Sequence, residues 1–134
     1  MSDVVIDSNI VIWYFGELSR LTERAETTVD AAVEGGGKVV VPSIIIVELI
    51  YLIERRRVPR EVLANLREAL DQDSTAFELV ELTREIADEL ENIDRSIVAD
   101  MPDRIVAATA LHLGVPLVTS DGDIQKLTNV ETIW

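Results

Sequence analysis

Four acidic residues stand where an isolated carboxylate is difficult to accommodate. Asp7 and Asp121 each follow a short apolar run. Glu48 is the single charged residue of the segment 44–53, and Asp103 directly precedes a nearly apolar stretch. Burying an ionised carboxylate is expensive unless it is paired or bound to a metal. One shared cation would account for all four residues, and ligands that are all oxygen select a hard ion such as Mg²⁺ or Mn²⁺.

Each acid also has a structural explanation of its own. Asp7 can cap the helix that follows it, and Asp103 can favour a helix N-terminus. Asp121 can begin a turn with Gly122, and Glu48 can pair with a nearby arginine. Four separate explanations are then needed where one cation suffices, and no cap or turn explains an acid in the middle of a helix. The sequence therefore favours a shared metal site.

Other catalytic chemistries are poorly represented in this chain. It contains no cysteine, which excludes a thiol nucleophile, a Cys-ligated zinc site and a disulfide scaffold. A Ser-His-Asp triad would depend on His112 alone. His112 lies nine residues after Asp103, on the opposite face of a helix. We expect it to serve a surface or packing role.

Composition restricts the class of protein. The 134 residues carry a net charge of −13 with 48% hydrophobic residues, which argues against both a disordered acidic tail and a plain basic nucleic-acid binder. The acids concentrate in Glu68–Asp94, where ten stand against one arginine, and a solvated acidic face is the expected role. With no signal peptide and no apolar run near the roughly 20 residues of a membrane span, a cytoplasmic protein is expected.

The elements that position these acids alternate along the chain. Predicted strands and helices occur at 4–6 (strand), 8–15 (helix), 21–33 (helix), 39–41 (strand), 43–57 (helix), 59–70 (helix), 76–80 (strand), 83–90 (helix), 102–114 (helix), 117–119 (strand), 123–127 (helical turn) and 130–133 (strand). Short apolar strands between helices indicate a parallel sheet covered on both faces. In such folds ligands bind at the carboxyl ends of the strands, which is where Asp7 and Asp121 stand.

Two further groups of residues have candidate roles. Four arginines fall within six positions, Arg55, Arg56, Arg57 and Arg60, and they suit contact with phosphate or with a protein partner. The aromatic residues Trp13, Tyr14, Tyr51 and Trp134 are expected to pack in the core or at its edge rather than to stack on bases.

The acids and their neighbours resemble the four acidic motifs of the PIN-domain nucleases, and most closely those of the VapC-type toxins of toxin–antitoxin pairs. The matching segments are Asp7–Asn9 after the first strand, Val47–Leu49 in an early helix, Pro102–Ala110, and Leu117–Asp121. Each motif is weak alone, but four in this order are specific, and together they span almost the whole chain. The resemblance implies a three-layer α/β/α fold formed by a single domain, residues 1–134.

The resemblance also implies a function and roles for residues. It implies metal-dependent hydrolysis of RNA phosphodiester bonds. Asp7 and Asp103 would be the primary ligands of Mg²⁺ or Mn²⁺, and Glu48 and Asp121 would complete the pocket. The resemblance makes Ser8, Asn9 and Thr119 candidates to orient ligands or water, Asp123 a candidate extra ligand, and Arg104 a candidate RNA or partner contact. It implies a homodimer and a cognate antitoxin that inserts a tail into the groove.

Two features depart from the family pattern, and both bear on substrate affinity. Ser120 stands where relatives often carry a basic residue, and the net charge opposes the approach of RNA. Two readings stay open beside the toxin: a housekeeping RNA-processing nuclease, and a catalytically silent PIN-like binding or scaffold protein. A phospho-receiver domain would need a lysine after a late strand, and neither Lys38 nor Lys126 stands in such a position. A haloacid-dehalogenase-type phosphatase would need an aspartate where Asn9 stands.

Overall fold

A five-stranded parallel sheet forms the centre of the computed structural model, which describes residues 3–72 and 76–134. The strands lie in the order β3-β2-β1-β4-β5. They are β1 (Val4–Ile6), β2 (Val39–Pro42), β3 (Phe77–Val80), β4 (Leu117–Val118) and β5 (Thr132–Ile133). Because all pairings are parallel, the carboxyl ends of the strands meet at one edge of the sheet.

The central strands are buried on both faces. In β1, Val5 pairs with Val40 of β2 on one side and with Leu117 of β4 on the other. None of these three side chains is more than 5% exposed. Such complete burial requires a layer of helices on each side of the sheet.

Six α-helices supply those layers in the part of the chain that the structure describes. They are α1 (Ser8–Gly16), α2 (Glu23–Glu34), α3 (Ile44–Glu54), α4 (Arg60–Asp71), α5 (Arg84–Glu89) and α6 (Met101–Leu113). Single 3₁₀ turns lie at Leu18–Arg20, Leu90–Asn92 and Ile124–Lys126. The predicted three-layer α/β/α class is therefore confirmed. No helix within residues 3–72 and 76–134 has the length and apolar character needed to cross a bilayer.

Some of the predicted helix ends agree with the structure and others do not. Thr83 caps α5 by accepting a hydrogen bond from the backbone N–H of Ile86, and Gly114 ends α6 in the left-handed region, both as predicted. Ser43, the first residue of the helix predicted over 43–57, holds the N-cap position of α3 but makes no capping bond, because its hydroxyl instead accepts from the N–H of Leu82.

Helix α3 stops three residues earlier than the predicted end near Arg57. Arg56 has a φ of 60°, in the left-handed region that a side chain disfavours. The N–H of Arg57 then bonds to the carbonyl of Leu52, and that of Arg56 to Ile53, which closes the helix end. This helix end was not predictable from the sequence, because a left-handed residue at a helix end is usually a glycine.

Replacing Arg56 by glycine is expected to stabilise the protein. Glycine adopts positive φ without the strain imposed by a Cβ, and the net gain in the free energy of unfolding is up to about 1 kcal/mol. The matched control is Arg57→Gly, because Arg57 is also exposed and its φ is not positive. Urea unfolding checks the pair. A midpoint for Arg56→Gly at or below that of Arg57→Gly would contradict the expectation.

Candidate active site

Asp7 lies at the carboxyl end of β1, beneath the surface of that edge. It is 3% exposed, and one of its carboxylate oxygens (Oδ1) accepts a hydrogen bond of 2.7 Å from the backbone N–H of Ser8. Asp7 is thereby the N-cap of α1, which is the structural role that the sequence offered for it. The N-terminus of α1 also carries the positive end of the helix dipole, which favours a negative charge there.

Thr119, directly after β4, holds the other oxygen of Asp7. Its buried hydroxyl donates to Asp7 Oδ2 at 2.7 Å and accepts from the backbone N–H of Asp121 at 3.0 Å. The same hydroxyl therefore links two of the four predicted acids. This agrees with the expectation that Thr119 orients a ligand residue.

Asp121 is itself ordered by the chain that follows it. Its Oδ1 accepts from the N–H groups of Asp123 (2.8 Å) and Ile124 (3.0 Å), so that the loop after β4 folds around one carboxylate oxygen. The expected turn role is therefore real. It does not remove the charge of Asp121 from the site, because that charge raises the pKa of Asp7.

Burial is the main influence on Asp7. It raises the pKa of the carboxyl above its ordinary value, and the hydrogen bonds from Thr119 and Ser8 act in the opposite direction. The protein thus surrounds a buried acid with donors that favour its charged form.

Glu48 reaches the same site from the middle of α3. Burial, with the charges of Asp7 and Asp100, raises the pKa of Glu48 to about 7. Its Oε1 atom is buried and has no hydrogen-bond partner. An orphaned buried carboxylate oxygen is unfavourable unless something binds it. The alternative explanation, a pairing with arginine, is therefore wrong for the described residues.

Asp103 stands in the first turn of α6, where burial and neighbouring charges both act on its carboxyl. Burial, followed by the charges of Asp7, Asp100, Asp121 and Glu48, raises the pKa of Asp103 to about 8. The four predicted acids therefore act on one another at the carboxyl edge, although they come from four separate parts of the chain.

Asp100 is an acid of this neighbourhood that sequence reasoning missed. It is the N-cap of α6, where its side chain accepts from the N–H of Asp103 at 3.2 Å, and its charge acts on both Glu48 and Asp103. The signal was available, because an aspartate three residues before Asp103 has the spacing of an N-cap.

The donor set fits a hard divalent cation. Every candidate ligand is a carboxylate oxygen, one of these oxygens is orphaned, and the charges repel one another when no cation is present. Within residues 3–72 and 76–134, however, no three acidic side chains already converge on one point as metal ligands. Enclosing an ion would therefore require these side chains to adopt other rotamers.

Several residues named from the sequence are exposed or make contacts other than with these acids. The exposed carboxylate of Asp123 is 3.5 Å from the amine of Lys126, and Asn9 is an exposed residue of α1. His112 is exposed near the end of α6, as expected. The guanidinium Nη2 of Arg104 donates to the carbonyls of Leu90 (2.7 Å) and Ile93 (3.1 Å), so that part of this side chain is engaged within the protein.

An open apolar groove adjoins Glu48 between α3 and the start of α6. Its most exposed members are Val47 (48%), Tyr51 (58%) and Met101 (60%), so Tyr51 does not pack in the core as predicted. The full lining is Ile44, Val47, Glu48, Tyr51, Leu52, Arg55, Met101 and Pro102. Arg55 therefore joins the groove, while the exposed residues Arg56 and Arg57 lie in the turn after α3 and Arg60 begins α4.

The raised pKa values predict how stability depends on pH when no metal is bound. Between about pH 4 and 8 the folded protein holds protons on Asp103 and Glu48 that the unfolded chain releases, so the free energy of unfolding falls as pH rises. In EDTA, Asp103→Asn is expected to be more stable than wild type at pH 8.5, with a smaller difference at pH 5. Urea unfolding at both pH values measures this.

The control for that series is Glu131→Gln, which removes one charge from an exposed residue before β5. An equal gain at pH 8.5 in Glu131→Gln would attribute the effect to net charge and not to the cluster.

This chain is similar to known proteins in both sequence and fold. The chain is 29% identical over 136 residues to Ribonuclease VapC22 of Mycobacterium tuberculosis, with both chains fully covered. Its fold is similar to VapBC2 from Rickettsia felis bound to a promoter DNA fragment (TM-score 0.71, 12% identity, 97% and 96% of the two chains covered). It is also similar to DNA-bound VapBC from Salmonella typhimurium (TM-score 0.71, 19% identity, 98% and 97% covered). The PIN domain model matches residues 4–130, and the chain belongs to the PIN domain family.

Proposed function

We propose that this protein is a divalent-metal-dependent endoribonuclease, and the toxin of a VapBC-type pair, formed by one domain over residues 1–134. The observation that carries the proposal is the cluster of Asp7, Glu48, Asp103 and Asp121 at the carboxyl edge, with a buried oxygen of Glu48 left unpaired. Similarity over the full length to a protein named as a ribonuclease supports it.

In this proposal Mg²⁺ or Mn²⁺ is held by Asp7 and Asp103, with Glu48 and Asp121 binding directly or through water. When bound, such a cation supplies activation of water, orientation of the phosphate and compensation of charge on the leaving oxygen. Asn9 and Asp123 are retained as weaker candidates for contact with water or metal.

The chain's own residues prepare Asp7 for this role. Oδ1 of Asp7 accepts from the backbone N–H of Ser8 at 2.7 Å and from its hydroxyl at 3.5 Å. Oδ2 accepts only from Thr119 and keeps a second lone pair available. These donors fix the direction of the carboxylate, as partners of metal ligands commonly do. The raised pKa values of Asp103 and Glu48 mean that protons compete with a cation for the same oxygens near neutral pH.

Substitution of the acids should separate chemistry from folding. Asp7→Asn and Asp103→Asn are expected to lower Mn²⁺-dependent cleavage of a mixed RNA pool by more than about 100-fold. Thr119→Val, which removes only the supporting hydroxyl, is expected to lower it about 10- to 100-fold. Gel analysis with and without EDTA measures cutting, and calorimetry measures Mn²⁺ binding.

Glu131→Gln is the control of equal charge change and should cut like wild type. If wild type neither cuts RNA nor binds Mn²⁺, the silent binding-protein alternative replaces the nuclease. Equal cutting by Asp7→Asn and wild type, with contaminating nuclease excluded, would reject the site.

The groove beside Glu48 suits a protein partner of definite chemistry. Its exposed apolar side chains offer an anchor for an amphipathic segment, and the orphaned carboxylate attracts a basic side chain. We propose that this partner is the cognate antitoxin. We further propose that the protein is a cytoplasmic homodimer, in keeping with the resemblance of its motifs to the VapC-type toxins.

A charge placed in the groove should prevent that association. The Val47→Asp variant is expected no longer to copurify with the product of a short reading frame beside the gene. Partner binding would bury the new aspartate without a counter-charge and next to the acidic Glu48, which is unfavourable. Leu82→Asp is the control, since Leu82 is similarly exposed (46%) but lies outside the groove. Retention of the partner by Val47→Asp would place antitoxin binding elsewhere.

A further inference from the structure

The two tryptophans of the chain contact each other although they lie 121 positions apart. The ring centroids of Trp13 and Trp134 are 5.8 Å apart with planes tilted by 41°, and the guanidinium carbon of Arg20 lies 5.1 Å from the centroid of Trp13. Both rings are half-buried, so one side of the group packs on the core while the other meets solvent. We call these three residues the tryptophan platform.

The tryptophan platform is attached to the elements that carry the acids. Trp134 directly follows Ile133, whose carbonyl accepts from the N–H of Thr119 at 3.1 Å. Trp134 is therefore at the carboxyl edge, beside the strand end that leads to Asp121. Trp13 lies on α1, six residues beyond Asp7 and so about 9 Å along the helix axis.

Packing against the core does not explain why the tryptophan platform includes the charged side chain of Arg20. Among the described residues no carboxylate lies within ion-pair distance of Arg20, although the chain has twice as many acids as bases. Arg20 is instead held over an indole ring, where its positive charge stays available. An anionic substrate approaching a protein of net charge −13 needs local cations of this kind.

We propose that the tryptophan platform binds single-stranded RNA beside the cleavage site. Trp134 stacks on a base flanking the phosphodiester that is cut, Trp13 supports the Trp134 ring, and Arg20 contacts a backbone phosphate. Stacking on an indole tolerates any base, and arginine adds attraction for the phosphate. This inference rests on the proposed nuclease function and adds a substrate-positioning surface that the acids do not supply. It revises the expectation that both tryptophans only pack.

Intrinsic fluorescence tests the proposal, because no other tryptophan is present. Asp7→Asn protein at low salt is titrated with a 12-nucleotide oligoadenylate and with a 12-mer of abasic sugar-phosphate. Oligoadenylate is expected to quench the emission and to bind more tightly than the abasic strand. In the same background, Trp134→Ala should weaken oligoadenylate binding about tenfold and leave the binding of the abasic strand unchanged. Fluorescence anisotropy of labelled strands measures both affinities. Trp134→Phe should restore most of the affinity.

Two companion variants separate the roles within the tryptophan platform. Trp13→Phe leaves Trp134 as the single emitter, and quenching by oligoadenylate should persist. Arg20→Gln should weaken both strands alike, because both carry phosphates. In the active protein, Trp134→Ala should raise KM for RNA while kcat changes little. Thermal unfolding of each variant identifies loss of structure.

The outcomes distinguish this proposal from the nuclease function beneath it. The proposed role of the tryptophan platform would be overturned if Trp134→Ala weakened the binding of both strands equally, or left the affinity for oligoadenylate unchanged. Neither result would contradict metal-dependent cutting. If Trp134→Ala unfolds, the test rests on the RNA affinity of Trp134→Phe and on the fluorescence of Trp13→Phe. Absence of quenching in Trp13→Phe would overturn the proposal. A wild type that neither cuts nor binds any RNA would overturn both.

Discussion

Repulsion among carboxylates gathered at one edge of a small sheet is the constraint on which the rest of the site depends. Asp7, Glu48, Asp103 and Asp121 come from four parts of the chain, and Asp100 adds a fifth charge. In the absence of a cation this cluster opposes folding. The apolar core and the sheet must therefore stabilise the protein enough to keep these groups together.

The protein manages this repulsion with donors rather than with cationic side chains. The hydroxyl of Thr119 and the N–H of Ser8 bind Asp7, two N–H groups of the following loop bind Asp121, and the N–H of Asp103 binds Asp100. These dipoles favour charged carboxylates without neutralising them. An arginine among the acids would occupy the place of a cation, and Arg104 is instead tied to the carbonyls of Leu90 and Ile93.

The surfaces around the cluster differ from one another in chemistry. On one side the groove between α3 and α6 exposes Val47, Tyr51 and Met101, and on the β5 side the tryptophan platform combines two indoles with Arg20. The first suits an amphipathic protein segment and the second suits a base with its phosphate. Under the two proposals, the antitoxin and the RNA would contact different surfaces beside one acidic centre.

Isolated charges singled out the four acids as site candidates, and the alternation of strands and helices and the parallel sheet were predictable, since apolar runs and caps are local signals. The early end of α3 at Arg56 was not, because a left-handed residue is normally announced by glycine. Nor were the support of Asp7 by Thr119, the orphaned oxygen of Glu48 or the contact of Trp13 with Trp134. These depend on which distant segments the sheet order β3-β2-β1-β4-β5 brings together.

The sequence by itself determined which groups are available for chemistry. Only the tertiary structure decided which of them meet, because contact between side chains 40 to 120 positions apart is a property of packing and not of local pattern.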